Sequence, residues 1–68
     1  MTLNQALDTG LNIYANYGDS TVHIDKYGSV YIVRELSNGK TEWDWYAWYT
    51  YAMKKHPLDK LNWHVKEN

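Results

Sequence analysis

The chain has 68 residues, no cysteine, four Trp, seven Tyr and no Phe, and its formal net charge is −1. This length predicts one small globular domain over residues 1–68, and the missing cysteines exclude disulfides and thiolate metal sites. The weak charge, with a single Arg34, argues against electrostatic steering to nucleic acid or to an anionic membrane.

The sequence also argues against insertion in a membrane. Its apolar stretches are far shorter than the ~20 residues that span a bilayer. Its first residues lack the basic and apolar regions of a signal peptide. We therefore expect a cytoplasmic protein with no membrane partner.

The first predicted element is a helix over residues 2–17. Its apolar residues recur at i, i+3, i+4 and i+7. Thr2 is the predicted N-cap, and Gly18 would follow the last turn. Gly10 lies on the apolar face of this helix. Either it allows close packing against a bulky ring, or the helix breaks there.

Three strands are predicted next, because the apolar period changes to two at Ser20. They cover residues 20–24, 30–36 and 41–44, with a three-residue loop at 26–28 and a type I′ turn at Asn38-Gly39. The resulting register pairs Ile24 with Val30 and Arg34 with Trp43. One face then carries Val22, Ile24, Val30, Ile32, Leu36 and Trp43, and the other carries Thr21, His23, Tyr31, Val33, Glu35, Glu42 and Asp44.

A second helix is predicted over residues 44–56, with Asp44 as N-cap and Pro57 ending it. The rival interpretation continues the third strand, since Trp, Tyr and Thr favour strands. In the tail, residues 58–68, apolar and polar side chains alternate from Leu61 to Lys66. This pattern predicts a short strand or an extended segment held by Trp63. The predicted fold class is α+β: a two-layer domain with a three-stranded antiparallel meander and two helices on one face, in the order α-β-β-β-α plus a C-terminal tail.

Protein binding is the function that the composition favours. The second predicted helix is apolar nearly all round, and a chain this short cannot cover both sides of it. We expect Trp48 and Tyr51 to anchor a partner, together with Trp43 and with Glu42 and Asp44 as orienting charges. The alternative is that the tail covers this side and completes the core.

Two other functions stay open at this point. A single-stranded nucleic acid could stack on Tyr27 and Tyr31 while Lys26, Lys54 and Lys55 contact phosphates. The chain could instead be a structural subunit of a homo-oligomer. By analogy of size and composition, a protein-binding domain like this one is typical of phage or mobile-element accessory proteins that inhibit a host complex stoichiometrically, defence complexes included.

Enzymatic chemistry has the weakest basis in the sequence. His23, His56 and His64 lack the spacing of a zinc site, and His56 is interpreted as a cation at a helix C-terminus. The predicted sheet offers its carboxylates no obvious cavity. We therefore expect no enzyme, no metal and no cofactor.

Overall fold

The structure, a computed structural model, describes residues 1–66. The chain forms two short α-helices, a 3₁₀ turn and five strands: α1 (Leu3–Asp8), β1 (Ile13–Tyr17), β2 (Ser20–Ile24), β3 (Val30–Glu35), β4 (Thr41–Tyr46), α2 (Tyr49–Met53), the 3₁₀ turn (Leu58–Lys60) and β5 (Trp63–Val65). The strands make one antiparallel sheet in the order β4-β3-β2-β1-β5. The α+β class is confirmed, with five strands instead of the predicted three-stranded meander. Residues 67 and 68 of the predicted tail lie outside the described residues.

The core lies between one face of the sheet and a layer that contains both helices. Alternate residues of the central strands are buried on this face, as the strand period of two requires. They pack with residues of α1, α2 and the 3₁₀ turn in one cluster: Leu3, Ala6, Ile13, Ala15, Val22, Ile24, Val30, Ile32, Ala52, Leu58 and Trp63. Within residues 1–66, no layer covers the opposite face of the sheet, which we call the open face.

The predicted helix over residues 2–17 is wrong beyond its first turns. It begins as predicted, because Thr2 and Gln5 form a reciprocal capping box. It ends at Asp8, and Gly10 follows with φ +69°. The helix therefore breaks at the glycine, and residues 13–17 form β1 because their apolar side chains also alternate.

The loop after β2 has the predicted geometry. The backbone N–H of Asp25 donates to the Ser29 carbonyl at 3.0 Å, which closes a three-residue loop. The Asp25 carboxylate accepts from the N–H groups of Tyr27 and Ser29. This loop sets the confirmed pairing of Ile24 with Val30.

The loop after β3 is one residue longer than predicted, and this changes the sheet faces. The N–H of Leu36 donates to the Lys40 carbonyl at 2.8 Å, so three residues separate the strands instead of two. Trp43 consequently pairs with Val33, and Glu42 pairs with Arg34. A register slip of one residue exchanges the two faces of a strand. Trp43 therefore lies on the open face, while Glu42 and Asp44 lie on the helix side, opposite to the prediction.

The predicted helix over residues 44–56 is also mostly replaced by strand. β4 continues to Tyr46, so Asp44 is a strand residue and not an N-cap. Only residues 49–53 are α-helical. The rival interpretation, in which the strand continues, is correct for residues 44–46.

The tail forms the predicted short strand. β5 pairs with β1, and Trp63 is completely buried at its start. The indole N–H of Trp63 donates to the Leu58 carbonyl at 2.7 Å. The tail therefore completes the core at the β1 side of the sheet, and it leaves Trp48 and Tyr51 exposed.

Candidate protein-binding surface

A line of aromatic side chains crosses the open face through all five strands. The register places one ring on each strand, directly opposite the ring on the next strand. We call this set the aromatic row: His64, Tyr14, His23, Tyr31 and Trp45. Residues opposite each other in neighbouring strands project on the same side of a sheet, so the row follows directly from the pairing.

The rings of the open face contact one another in two groups. Tyr14 lies 5.3 Å from His64 and 6.4 Å from His23, measured between ring centroids. Trp43, beside the row, meets Tyr31 edge-on at 6.4 Å. The indole N–H of Trp43 also donates to the Thr41 hydroxyl at 3.1 Å, which restrains the exposed ring. The open face is thus a platform of oriented rings.

A shallow depression of about 280 Å³ lies on this platform. Trp43, Tyr31 and His23 form its aromatic side, and Asp25 and Lys66 contribute charges of opposite sign. The space is sufficient for one large side chain of a partner. Concave, mostly apolar sites with a few polar groups are the usual places for such anchors.

His23 lies inside the platform, where its surroundings disfavour the protonated imidazole. Burial lowers the pKa of its imidazole below the usual value of 6.5, and the positive charge of Lys66 lowers it further. The buried Nδ1 atom has no hydrogen-bond partner among the described residues. The strands place one charged residue, Glu35, on the open face, and Asp25 and Lys66 line the depression with opposite charges. The surface is therefore mainly aromatic, and its few charges are of both signs.

The residues predicted to bind a partner lie on both layers of the domain. Trp43 belongs to the open face and is 63% exposed, whereas Trp48 and Tyr51 lie in the helix layer. The Trp48 ring covers Gly28 so closely that a Cβ atom there would lie 2.5 Å from it. Glu42 and Asp44 project from β4 on the helix side. The five predicted residues therefore do not form one surface.

The residues of the nucleic-acid hypothesis are also separated. Tyr27 is exposed at the tip of the loop after β2, with the Lys26 ammonium 5.3 Å from its ring centroid. Tyr31 lies on the open face. Lys54 and Lys55 follow α2, where the Lys54 ammonium lies 5.5 Å from the Tyr51 ring centroid. Lys26, Lys54 and Lys55 therefore do not form a line of cations along the aromatic row.

The sequence did not predict that three aromatic residues, Tyr14, Trp45 and His64, lie on the open face. The sequence pattern places Tyr14 and Trp45 in predicted helices, and it places His64 in the predicted tail strand, with no indication that this strand joins the sheet. A usable signal was Gly18-Asp19, a dipeptide typical of two-residue hairpin turns. Gly18 has φ +59° and joins β1 to β2 in such a turn.

On the helix side of the sheet, a hydrogen-bonded group forms around His56. His56 contacts two tyrosine hydroxyls, Tyr46 Oη at Nε2 and Tyr17 Oη at Nδ1, each at 3.3 Å. His56 therefore joins the ends of β1 and β4 across the core face, in place of the predicted role at a helix end. Within residues 1–66, no group of three His, Asp or Glu side chains is placed to hold a metal ion.

Comparison with known proteins adds no family or fold relative. No protein-family model matches the chain, and no curated protein or solved structure is significantly similar to it. In the part of the chain that the structure describes, no helix has the length and apolar character to cross a bilayer.

Proposed function

We propose that this protein is a protein-binding module and that its open face is the binding surface. The observation that carries the proposal is the aromatic row with Trp43 beside it, on a sheet face that the chain's own helices leave uncovered. Trp45 is 57% exposed and Trp43 is 63% exposed. Large, oriented, solvent-exposed aromatic groups are the usual energetic centres of protein interfaces.

The low charge of the open face favours a protein over a nucleic acid. Aromatic residues on an open sheet can stack single-stranded bases, but such sites also carry cations that follow the phosphate backbone. Here Lys66 is the cation beside the depression, and Glu35 lies on the same face. A nearly neutral aromatic patch with a polar rim is the composition expected of a protein interface core.

A pair of single substitutions tests the proposal. Trp45→Thr removes an exposed ring from the open face and keeps a good strand residue. Tyr51→Gln removes an equally exposed ring, 58% against 57%, from the helix layer. Each variant is used to recover partners from cells that naturally produce the protein, and the bound proteins are quantified by mass spectrometry. Circular dichroism confirms that both variants are folded.

We expect Trp45→Thr to reduce recovery of the partner at least about tenfold, as for a hot-spot residue. Tyr51→Gln should leave recovery within about twofold of the natural protein. The opposite pattern would move the binding site to α2 and would contradict the proposal. Recovery of nuclease-sensitive material that depends on Trp45 would favour the nucleic-acid hypothesis instead.

Inhibition of a host complex is one activity that such a module could have. It remains a prediction from size and composition, as does self-assembly into a homo-oligomer. A partner identified through Trp45 would decide between them, because the partner would be either another protein or a second copy of the chain.

A further inference from the structure

The two edges of the sheet differ in whether their backbone groups are already bonded. β5, at one edge, has three residues and is covered by the N-terminal residue: the Trp63 N–H donates to the Met1 carbonyl at 2.9 Å, and the Met1 ammonium donates to the Trp63 carbonyl at 3.1 Å. β4, at the other edge, has six residues, and among the described strands it pairs with β3 alone. The long edge is therefore the one available for another strand.

The register shows which backbone groups of β4 point outward. In an antiparallel pair, hydrogen-bonded and non-bonded residue pairs alternate. Leu36 and Lys40 form a bonded pair, so Glu42 and Asp44 bond to β3 while Thr41, Trp43 and Trp45 direct their N–H and C=O groups outward. Within residues 1–66, these outward groups have no backbone partner. They offer three donors and three acceptors to an added strand.

The same strand carries alternating chemistry on its two faces. Trp43 and Trp45 project on the open face, and Glu42 and Asp44 project on the helix side. Arg34 lies opposite Glu42, whereas Asp44 lies opposite the apolar Ile32. An added strand would find aromatic neighbours on one side and carboxylates on the other. It is best matched by apolar residues that alternate with Lys or Arg.

A second copy of β4 is a poor occupant of this edge. Two-fold pairing about Trp43 places Glu42 of each copy opposite Asp44 of the other. Two-fold pairing about Asp44 places this carboxylate opposite itself. Like charges at directly opposite positions destabilise a strand pair, and charged side chains on edge strands commonly prevent self-pairing.

We infer that β4 binds its partner by strand addition, and that the partner segment is an extended peptide in which Lys or Arg alternates with apolar residues. This inference rests on the proposed function and specifies how the partner is held. Backbone bonds to Thr41, Trp43 and Trp45 would fix the segment, and its apolar side chains would extend the aromatic surface of the open face.

The test uses a blocked hexapeptide, Lys-Val-Lys-Val-Lys-Val, titrated into the ¹⁵N-labelled protein. In the matching register, the valines lie opposite Trp43 and Trp45, and their N–H groups point at β4. N-methylation of the three valines removes these bonds, whereas N-methylation of the three lysines alters groups that point away. A peptide with Glu in place of Lys tests the charge requirement. The readouts are amide shifts and amide hydrogen exchange.

We expect the amides of Thr41, Trp43 and Trp45 to become protected from exchange while the protection of Glu42 and Asp44, already bonded to β3, changes little. Valine methylation should weaken binding at least about tenfold, since three backbone bonds are lost, and lysine methylation should weaken it less than about threefold. The Glu peptide should not bind measurably.

Three results would overturn the inference: no response of the β4 amides, equal effects of the two methylation patterns, or equal binding of the Glu peptide. The proposed function is tested separately. If Trp45→Thr abolishes partner recovery while the peptide fails to protect β4, the open face binds protein without strand addition.

Discussion

The contact between Trp48 and Gly28 leads to a sharp prediction about which exposed tryptophan supports the fold. Gly28 has φ +96°, and a Cβ atom there would lie 2.5 Å from Cζ3 of Trp48. Gly39 has a similar φ of +80°, but nothing lies within 4 Å of its Cβ position. Gly39→Ala therefore introduces only backbone strain, and Gly28→Ala introduces the same strain together with displacement of the ring.

The expected costs follow from these two terms. Placing Ala in the left-handed region costs about 1–2 kcal/mol, and this is the whole expected effect of Gly39→Ala. Trp48 is 43% exposed, so its displacement loses somewhat more than half of the ~250 Å² that a buried Trp covers. At ~25 cal/mol/Å² this loss is at most about 3.5 kcal/mol. Added to the backbone strain, it gives a total cost for Gly28→Ala of up to about 5 kcal/mol, well above that of Gly39→Ala.

Urea denaturation followed by circular dichroism measures both costs. A double-mutant cycle isolates the contact: once Gly28→Ala has displaced the ring, Trp48→Ala should cost almost nothing further. Equal destabilisation by Gly28→Ala and Gly39→Ala, or additive costs in the double variant, would refute this reasoning. Trp48 would then be free to act as a partner anchor, as the sequence predicted.

Further variants test the core, the platform and the edge. Trp63→Phe removes the indole donor at 2.7 Å and leaves the Leu58 carbonyl with only the longer bond from the Leu61 N–H at 3.4 Å; it should destabilise the domain by about 0.5–1.5 kcal/mol through this lost bond, which thermal unfolding measures as a lowered Tm. Because the folded state lowers the pKa of His23 below 6.5, stability should be retained above pH 6.5 and fall as the pH drops below it, and His23→Gln should flatten this dependence in urea titrations at several pH values. Replacing Lys66 with Gln should raise the pKa of His23 toward 6.5, as followed by the NMR shifts of the ring. Asp44→Asn should promote self-association through β4, measured by light scattering over a concentration series.

The pairing of β2 with β3, in the middle of the sheet, could be predicted from the sequence. The strands on either side, β4 on one and β1 and β5 on the other, could not be placed correctly. The loop at residues 25–29 could be predicted because Asp25 and Gly28 occupy positions with defined turn geometry. Asn38-Gly39 also marked a turn correctly. That dipeptide is compatible with loops of two or three residues, however, and the one-residue difference placed Trp43 on the other face.

The helix errors have a different cause. Residues 13–17 contain apolar residues of both periods: Tyr14 and Tyr17 continue the helical spacing from Leu3, while Ile13, Ala15 and Tyr17 alternate as in a strand. Periodicity alone therefore could not locate the break at Gly10. Residues 44–46 were ambiguous for the same reason, since Trp and Tyr fit either element. The open face could not be predicted because it depends on β1, β4 and β5 all joining one sheet. β5 pairs with β1, which lies near the other end of the chain, and local patterns do not report such a pairing.

The most direct test of the central claim is site-specific photo-crosslinking in cells that produce the protein. A photoreactive phenylalanine analogue at position 45 reports on the open face, and the same analogue at position 51 reports on the helix layer. The two natural side chains are equally exposed. We predict protease-sensitive, nuclease-resistant adducts from position 45 and none from position 51. Adducts confined to position 51, or nuclease-sensitive adducts at position 45, would contradict the claim that the open face binds a protein.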